Sequence, residues 1–440
     1  MCLLLLLSVA WAGSTAGVGL TPIGGAFGGV SEPGTLGLPS NPAAARSPQT
    51  EFAMDLGLSR WELQATLDGQ QPIEGTGLAP MPFVAATVPL GDFGIGVSGT
   101  IPYGGGGTFP DDGAQRYHLQ EGSVSFMEGS LSLAYQPVRA LRVGVAGRVG
   151  RATMVKRYAV DPAGLIHSQL GEDISQLSED ERPGDGSQAL DISGVGYGMA
   201  FGVSGFLSSG VEIHASYRTP VPVELTGSAT VTPSQDFDLT MTGFAQAQMT
   251  YAREAALGIV VPAGPVRLII DGGWSDWRTM ERVDGSLDNI KLQTDDDSLA
   301  ALLSATGTSE SSLTEPQRIY TDLGNTDAFY GGAAVDIPLH ARWTARLGAW
   351  WAPTTIPDEN FHIGIMDFPS IDLRSALAWQ PSQAWLIATS LDVFMIPDRK
   401  IQNSALSLTN APASGRVLPS ANGEYSMNAA RLGLTAVYRK

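Results

Sequence analysis

Gly194-Val195-Gly196-Tyr197-Gly198-Met199-Ala200-Phe201-Gly202-Val203 decides the fold of this chain. Bulky apolar residues hold the odd positions, and glycine or alanine the even ones. A repeat of two is the side-chain period of a β-strand, with one face bulky and the other nearly bare. The short turn Ser208-Ser209 follows, and a second strand-like segment starts at once. The same unit recurs along the chain. Short connections fall near Leu90-Gly91, Pro137-Val138, Pro262-Ala263, Pro338-His340 and Pro381-Ser382. Long polar connections fall at 64–78, 103–120, 159–192, 231–243, 282–326, 354–369 and 397–425. Each short turn follows an even-numbered strand and each long loop an odd-numbered one. A soluble sandwich has no reason to sort its loops this way. An all-β, 14-stranded antiparallel transmembrane β-barrel sorts them by construction, with turns on one side and surface loops on the other.

The strands read from this pattern are 52–63, 79–89, 92–102, 121–136, 139–158, 193–207, 210–230, 244–261, 264–281, 327–337, 341–353, 370–380, 383–396 and 426–438. Trp343, Ala345, Leu347, Ala349 and Trp351 oppose Arg342, Thr344, Arg346 and Gly348. The apolar face is expected to meet lipid, with charges and glycines facing the lumen. Trp61, Tyr135, Tyr217, Trp274, Trp277, Trp351, Trp379 and Trp385 lie near strand ends, as an aromatic girdle requires. The stretch 244–261 alternates poorly and carries Arg253-Glu254 in mid-strand. Many strands exceed the roughly 9–11 residues that cross a bilayer, so an extracellular rim is expected.

The bulk numbers agree. Only 16% of the residues are charged, against about 25% in a typical soluble domain. Glycine is abundant at 53 of 440 residues. After residue 12 no apolar run approaches the roughly 20 residues of a membrane helix. Residues 1–12 read as a signal peptide, with the small-residue pattern Ala10-Trp11-Ala12 at its end. Cys2 is the single cysteine and leaves with that segment, so the mature chain has no disulfide or thiolate chemistry. The net charge of −18 excludes a nucleic-acid partner. Loop 159–192 gathers Glu172, Asp173, Glu179, Asp180, Glu181 and Asp185, and loop 282–326 gathers Asp295, Asp296 and Asp297. That acidity suits loops above a cation-rich outer leaflet, and it suits plain solvation equally well.

Residues 13–50 stand apart. Gly17-Val18-Gly19, Gly24-Gly25-Ala26-Phe27-Gly28-Gly29 and Pro39-Ser40-Asn41-Pro42-Ala43 sustain neither strand nor helix. A flexible linker and a plug inside the lumen both fit.

These residues resemble the FadL-type outer-membrane transporters of long-chain fatty acids and other hydrophobic compounds. The resemblance rests on Asn41-Pro42-Ala43, Thr100-Ile101-Pro102-Tyr103-Gly104 and Val155-Lys156-Arg157-Tyr158-Ala159. It continues through Tyr197-Gly198, Tyr217-Arg218, Trp274-Ser275-Asp276-Trp277, Asp327-Ala328-Phe329 and Pro357. It implies that 13–50 is a hatch in the lumen of a barrel spanning 51–440. It implies ligand capture between loops 159–192 and 282–326, where Leu165, Ile166, Leu299, Leu302 and Leu303 could line a groove. The ligand then passes to a lumen pocket and leaves sideways at a kinked third strand, for which Tyr103, Gly104 and Gly105 are the candidates. Glycines abandon a ladder at little cost. Arg157, with Tyr158 beside it, corresponds to the family's carboxylate-binding arginine, and guanidinium suits a carboxylate in a dry pocket. Strict alternation points Arg157 toward lipid, so a bulge between 150 and 157 is needed to turn it inward. The family's second cation is replaced by Thr326, which favours a neutral ligand such as an aromatic hydrocarbon. Arg151 or Lys156 could compensate.

The resemblance also implies a monomer in the outer membrane of a Gram-negative cell. Its partners are the hydrophobic ligand, outer-membrane lipid and lipopolysaccharide, and the barrel assembly machinery. Tyr438 supplies the C-terminal aromatic that such assembly favours, despite Arg439 and Lys440 after it. No cofactor, metal or enzymatic activity is expected. His118, His167, His214, His340 and His362 share no ligand spacing and read as surface or rim residues. The run Asp295-Asp296-Asp297 lacks the alternation of a calcium loop. The rival readings are a general porin with an unplugged lumen and a structural surface barrel whose loops bind a partner.

Overall fold

A computed structural model describes residues 28–160, 185–232, 240–295, 297, 300–301, 317–361, 363–364, 366–404 and 421–440. The expected signal peptide and the first part of the hatch, 13–27, lie outside the described residues. So does most of loop 159–192. The strands are β1 (Glu51–Leu67), β2 (Ile73–Leu90), β3 (Phe93–Thr108), β4 (Glu121–Val138), β5 (Leu141–Val160) and β6 (Gly186–Phe206). They continue with β7 (Glu212–Arg218), β8 (Val221–Thr232), β9 (Thr240–Tyr251), β10 (Arg253–Ala263), β11 (Val266–Asp276), β12 (Arg282–Gln293) and β13 (Gln317–Asp322). The last are β14 (Ala328–His340), β15 (Trp343–Ala352), β16 (Ser370–Ser382), β17 (Trp385–Met395), β18 (Arg399–Ile401) and β19 (Gly423–Arg439). Five staves are interrupted, so β7 with β8, β9 with β10, β11 with β12, β13 with β14 and β17 with β18 each form one. The result is a closed antiparallel barrel of 14 staves. The ladder between β1 and β19 closes it, from Glu51–Arg439 to Leu67–Gly423.

The short turns all lie at one end, within a residue or two of their expected positions. Gly91 and Gly264 adopt positive φ (64° and 63°) there, a conformation that only glycine enters freely. The long connections lie at the other end. Strands run on into most of them, as β3 does to Thr108 and β6 from Gly186, and two cases are the clearest. β1 runs on to Leu67 and β2 starts at Ile73, inside the expected loop 64–78. The expected loop 282–326 contains β12 and β13. Both extensions rise above the apolar belt, where the outer face turns polar and the strand looks like loop sequence.

Outward side chains form that belt. Leu56 is 60% exposed and Leu131 62%, and Val97, Leu133, Phe201, Ile270, Leu347, Leu373 and Leu434 share the surface. An apolar band all round a barrel has no aqueous solution and is the mark of a lipid-facing wall. Tyr135 stacks on Phe93 at 4.7 Å, and Trp343 on Trp379 at 6.0 Å, at the short-turn end. Trp61 and Trp277 do not join the girdle. Both are 3% exposed and point into the lumen. Trp61 stands at an inward position of β1, and Trp277 sits in a one-turn 3-10 helix, Trp277–Met280, that breaks stave nine.

The weak alternation of 244–261 has a cause. In β9 the odd residues Ala245, Ala247, Met249 and Tyr251 are buried. In β10 the even residues Glu254 and Val260 are buried. The phase slips by one at Ala252, between the two strands, and a fixed period of two cannot be read across it.

Residues 28–50 lie within the barrel, mostly buried. Bare positions on the wall receive them. A Cβ on Gly94 would strike the Ala45 carbonyl, on Gly96 the Leu38 side chain, on Gly144 Pro42 and Ala43, and on Gly202 the Asn41 amide. Asn41 donates to Val30 O (3.3 Å), Val203 O (3.4 Å) and Ser204 Oγ (3.3 Å), and its Oδ1 accepts from Ala43 N (3.0 Å). On the opposite side Glu32 pairs with Arg346 at 2.7 Å. Ser31 hydrogen-bonds Asp271.

Candidate functional site

β5 gives the vertical order of the lumen. Its inward residues, from the short-turn end, include Gly144, Arg148, Ala152, Met154, Lys156 and Tyr158. Gly144 meets residues 41–43. Arg148 belongs to a layer of ion pairs. Ala152 and Met154 belong to an apolar cluster above it.

The cluster gathers Phe126, Met154, Ile192, Leu225, Tyr251, Trp277, Met280 and Val283 from six staves. Its aromatic centre is tight. Phe126 stacks on Tyr251 at 4.0 Å, and Tyr103 lies 5.4 Å from both Tyr251 and Trp277. The layer beneath is electroneutral. Arg148 Nη2 donates to Glu128 (2.5 Å), Arg218 to Glu128 (2.8 Å) and to Glu254 (3.0 Å). Tyr103 Oη completes it by donating to Glu254 (2.6 Å). All four charged side chains are at most 4% exposed. A buried carboxylate–guanidinium layer holds its shape because each charge lacks any alternative partner in water.

Beside it, the ladder between staves two and three is interrupted. β2 and β3 pair up to Phe83–Thr100, and pairing resumes only at Thr76–Thr108. β3 remains joined to β4 through this stretch, with a bulge between Thr100 and Tyr103. Composition explains the break. Pro80 and Pro82 sit two apart, so both missing N–H donors fall on one edge of β2. Gly104, Gly105, Gly106 and Gly107 follow Tyr103 on the facing strand. The inward residues Ala79 and Met81 are only half-buried, whereas Ile73, Phe83 and Ala85 on the same face are buried. The period-two pattern absorbs Pro80 and Pro82 into a strand, and their spacing is the signal it passes over.

A second interruption lies between β6 and β7–β8. Pairing passes from Ala200–Arg218 to Ser193–Thr226. Pro220 and Pro222 repeat the two-apart spacing. This one is filled. Val221 and Val223, 1% and 3% exposed, pack on the bare faces of Gly194, Gly196 and Gly198. Of these two offsets, the one beside Tyr103 is the accessible one.

The other named residues fall as follows. Arg157 stands on the outer face. The β4–β5 ladder runs unshifted from Tyr135–Val143 to Glu121–Arg157, so no bulge turns it inward. Its side chain is 37% exposed and pairs with Asp111 (3.0 Å) and Glu121 (3.6 Å). Lys156, the next residue, is fully buried on the lumen face. Tyr158 is buried above it. Leu165, Ile166, Leu299, Leu302 and Leu303 lie outside the described residues. Thr326 hydrogen-bonds through N and Oγ1 to Thr355 O, in the roof.

That roof is the segment 353–369. The Asp367 carboxylate accepts from Thr354 Oγ1, Thr355 N and Ile356 N, and burial pushes its carboxyl up from the ordinary range. Two histidines differ from their expected surface placement. His118 and His214 are each 3% exposed. His214 Nδ1 lies 2.9 Å from Ser204 Oγ, the group that also holds Asn41, and its Nε2 lies 3.2 Å from Glu212. A small pocket lies beside Gly28, with Asp271, Arg346 and Arg374 among its lining alongside Ile269, Ala333 and Trp350. Those three charged side chains set it apart from the apolar cluster.

No family model and no curated protein matches the sequence. Solved structures do match. A FadL homologue of Pseudomonas aeruginosa is 12% identical with a TM-score of 0.74, covering 97% of this chain and 98% of that one. The toluene transporter TbuX of Ralstonia pickettii is 14% identical at TM-score 0.67, covering 95% and 97%. The toluene transporter TodX of Pseudomonas putida is 14% identical at TM-score 0.68, covering 99% and 100%. Over nearly its whole length, this chain has the fold of a FadL homologue and of toluene transporters.

Proposed function

We propose that this protein takes up hydrophobic small molecules across a Gram-negative outer membrane and releases them sideways through the wall. One observation carries the reading. The accessible break between β2 and β3 opens beside a lumen cluster of apolar and aromatic side chains. An apolar ligand in that cluster has a short path to lipid at the break. The route downward passes buried ion pairs and residues 28–50, which act as the hatch. The neighbours whose fold it shares include toluene transporters and a FadL homologue, which supports the same class of cargo. Capture between the two long loops, with Leu165, Ile166, Leu299, Leu302 and Leu303 at the groove, remains part of the proposal.

Restoring the missing donors tests the route. With Pro80→Val and Pro82→Val together, two ladder hydrogen bonds of about 1 kcal/mol each bias closure by about 30-fold. Uptake of labelled toluene and oleate, in cells without their own transporter and at matched surface levels, is expected to fall accordingly. Undiminished uptake of both would sink lateral release.

Long-chain fatty acids are the ligand class we favour, and Lys156 is the cation we assign to the carboxylate. It is buried on the lumen face, one inward position above Met154. Arg157 faces Asp111 and Glu121 instead. A charge-assisted hydrogen bond is worth about 1.5–3 kcal/mol. Lys156→Met should therefore raise half-saturation for oleate by about 10- to 100-fold and leave toluene unchanged. Arg157→Ala removes exposed pairs worth about 0–1 kcal/mol and should change either ligand less than about fivefold. Equal losses of oleate and toluene uptake in the Lys156 variant would point to a neutral ligand.

A further inference from the structure

We propose that Tyr103 is a post that holds the wall aperture open, anchored across the lumen on Glu254. The inference rests on the lateral route above and assigns its control. Tyr103 belongs to the segment of β3 that has left the β2 ladder. Its side chain crosses the lumen to stave eight, where Oη donates to Glu254 at 2.6 Å. Glu254 is itself held by Arg218 at 3.0 Å, and Arg218 by Glu128 at 2.8 Å. The anchor is therefore a rigid, fully buried ionic layer spanning staves four, five, seven and eight. Ring contacts with Phe126, Tyr251 and Trp277 pack the side chain. The directional bond is the one to Glu254. It draws β3 inward at the residue beside its bulge, and the glycines after it let the strand step away from β2.

Without that bond, β3 is free to return to the wall. Extending the Phe83–Thr100 register upward pairs Ala79 with Gly104. A Cβ on Gly104 would lie 3.1 Å from Val124 O and 3.3 Å from Ser125 Cα, so a cysteine there asks β4 to give by a few tenths of an ångström. The test is made in the full-length chain with Cys2→Ser, Ala79→Cys and Gly104→Cys, with and without Tyr103→Phe. A heat-modifiability gel reports that the barrel is folded. Tyr103→Phe is expected to speed disulfide formation between positions 79 and 104 by about tenfold or more, from the loss of one charge-assisted bond. Without the cysteines, it should lower hydrophobic uptake by a similar factor. Faster cross-linking with lower uptake supports the post. Faster cross-linking with unchanged uptake supports the post and removes the lateral route. Unchanged cross-linking overturns the post, whatever uptake does. Glu254→Gln, which keeps an acceptor for Tyr103, should cross-link more slowly than Glu254→Leu, and equal rates would also overturn it.

Discussion

Gly202→Val is expected to dislodge the 41–45 turn and turn a closed barrel into a leaking one. A Cβ on Gly202 falls on the Asn41 amide and close to Pro42 Cδ at 2.9 Å. Asn41 has no room to yield, because it already bonds Val30 O, Val203 O, Ser204 Oγ and Ala43 N. Overpacking typically costs about 1–3 kcal/mol. The cost falls on the inserted segment and spares the strand ladder, which needs no side chain at 202. The displaced state should rise by about 5- to 150-fold in population. The measurement is conductance in a planar bilayer, with sensitivity of cells to a bulky polar antibiotic as the companion. Gly147→Val is the control, since a Cβ there meets nothing within 4 Å. Equal conductance in the two variants would remove residues 41–45 as the closing element.

Arg218→Met is expected to give the largest loss of stability. It strips Glu128 of one partner and Glu254 of its cation, leaving two buried carboxylates beside Arg148 alone. Breaking a buried ion pair in this way costs about 3–5 kcal/mol. The heat-modifiable transition on a gel, or the unfolding midpoint in urea, should drop sharply. Adding Glu254→Gln should recover part of the loss, because one uncompensated charge goes with it. If the single variant unfolds like wild type, water reaches this layer and its charges are not held by one another. The comparison with Arg157→Ala is direct, since that side chain is 37% exposed where Arg218 is 3%.

The barrel is legible in the sequence because its signals are local. Alternation in 193–207, 341–353 and 370–394 needs only neighbouring residues, and so does the sorting of short turns from long loops. Where alternation stays apolar on one face, strand ends fall within a few residues of the pattern. Where the outer face becomes polar, as in Arg282–Gln293, the strand reads as loop. Where the phase slips, at Ala252, the pattern blurs.

Other features are written in the sequence but need a partner strand to be read. Pro80 and Pro82 matter because the facing strand bulges between Thr100 and Tyr103 and leaves the ladder there, and Pro220 and Pro222 matter less because Val221 and Val223 fill their gap. Only pairing register distinguishes the two. Gly94, Gly96, Gly144 and Gly202 look like simple spacing until residues 38–45 settle on them.

By itself, then, the sequence determined the barrel, its stave number, its lipid-facing side and the likeness carried by Asn41-Pro42-Ala43 and Thr100-Ile101-Pro102-Tyr103. Tertiary structure alone decided which cation faces the lumen, Lys156 or Arg157, and which ladder break stays accessible. It alone joined Tyr103 to Glu254, 151 positions away. A period of two tells which side chains share a face, but not whether a bulge flips that face or what stands across the lumen. Those depend on register and on contacts between staves far apart in sequence.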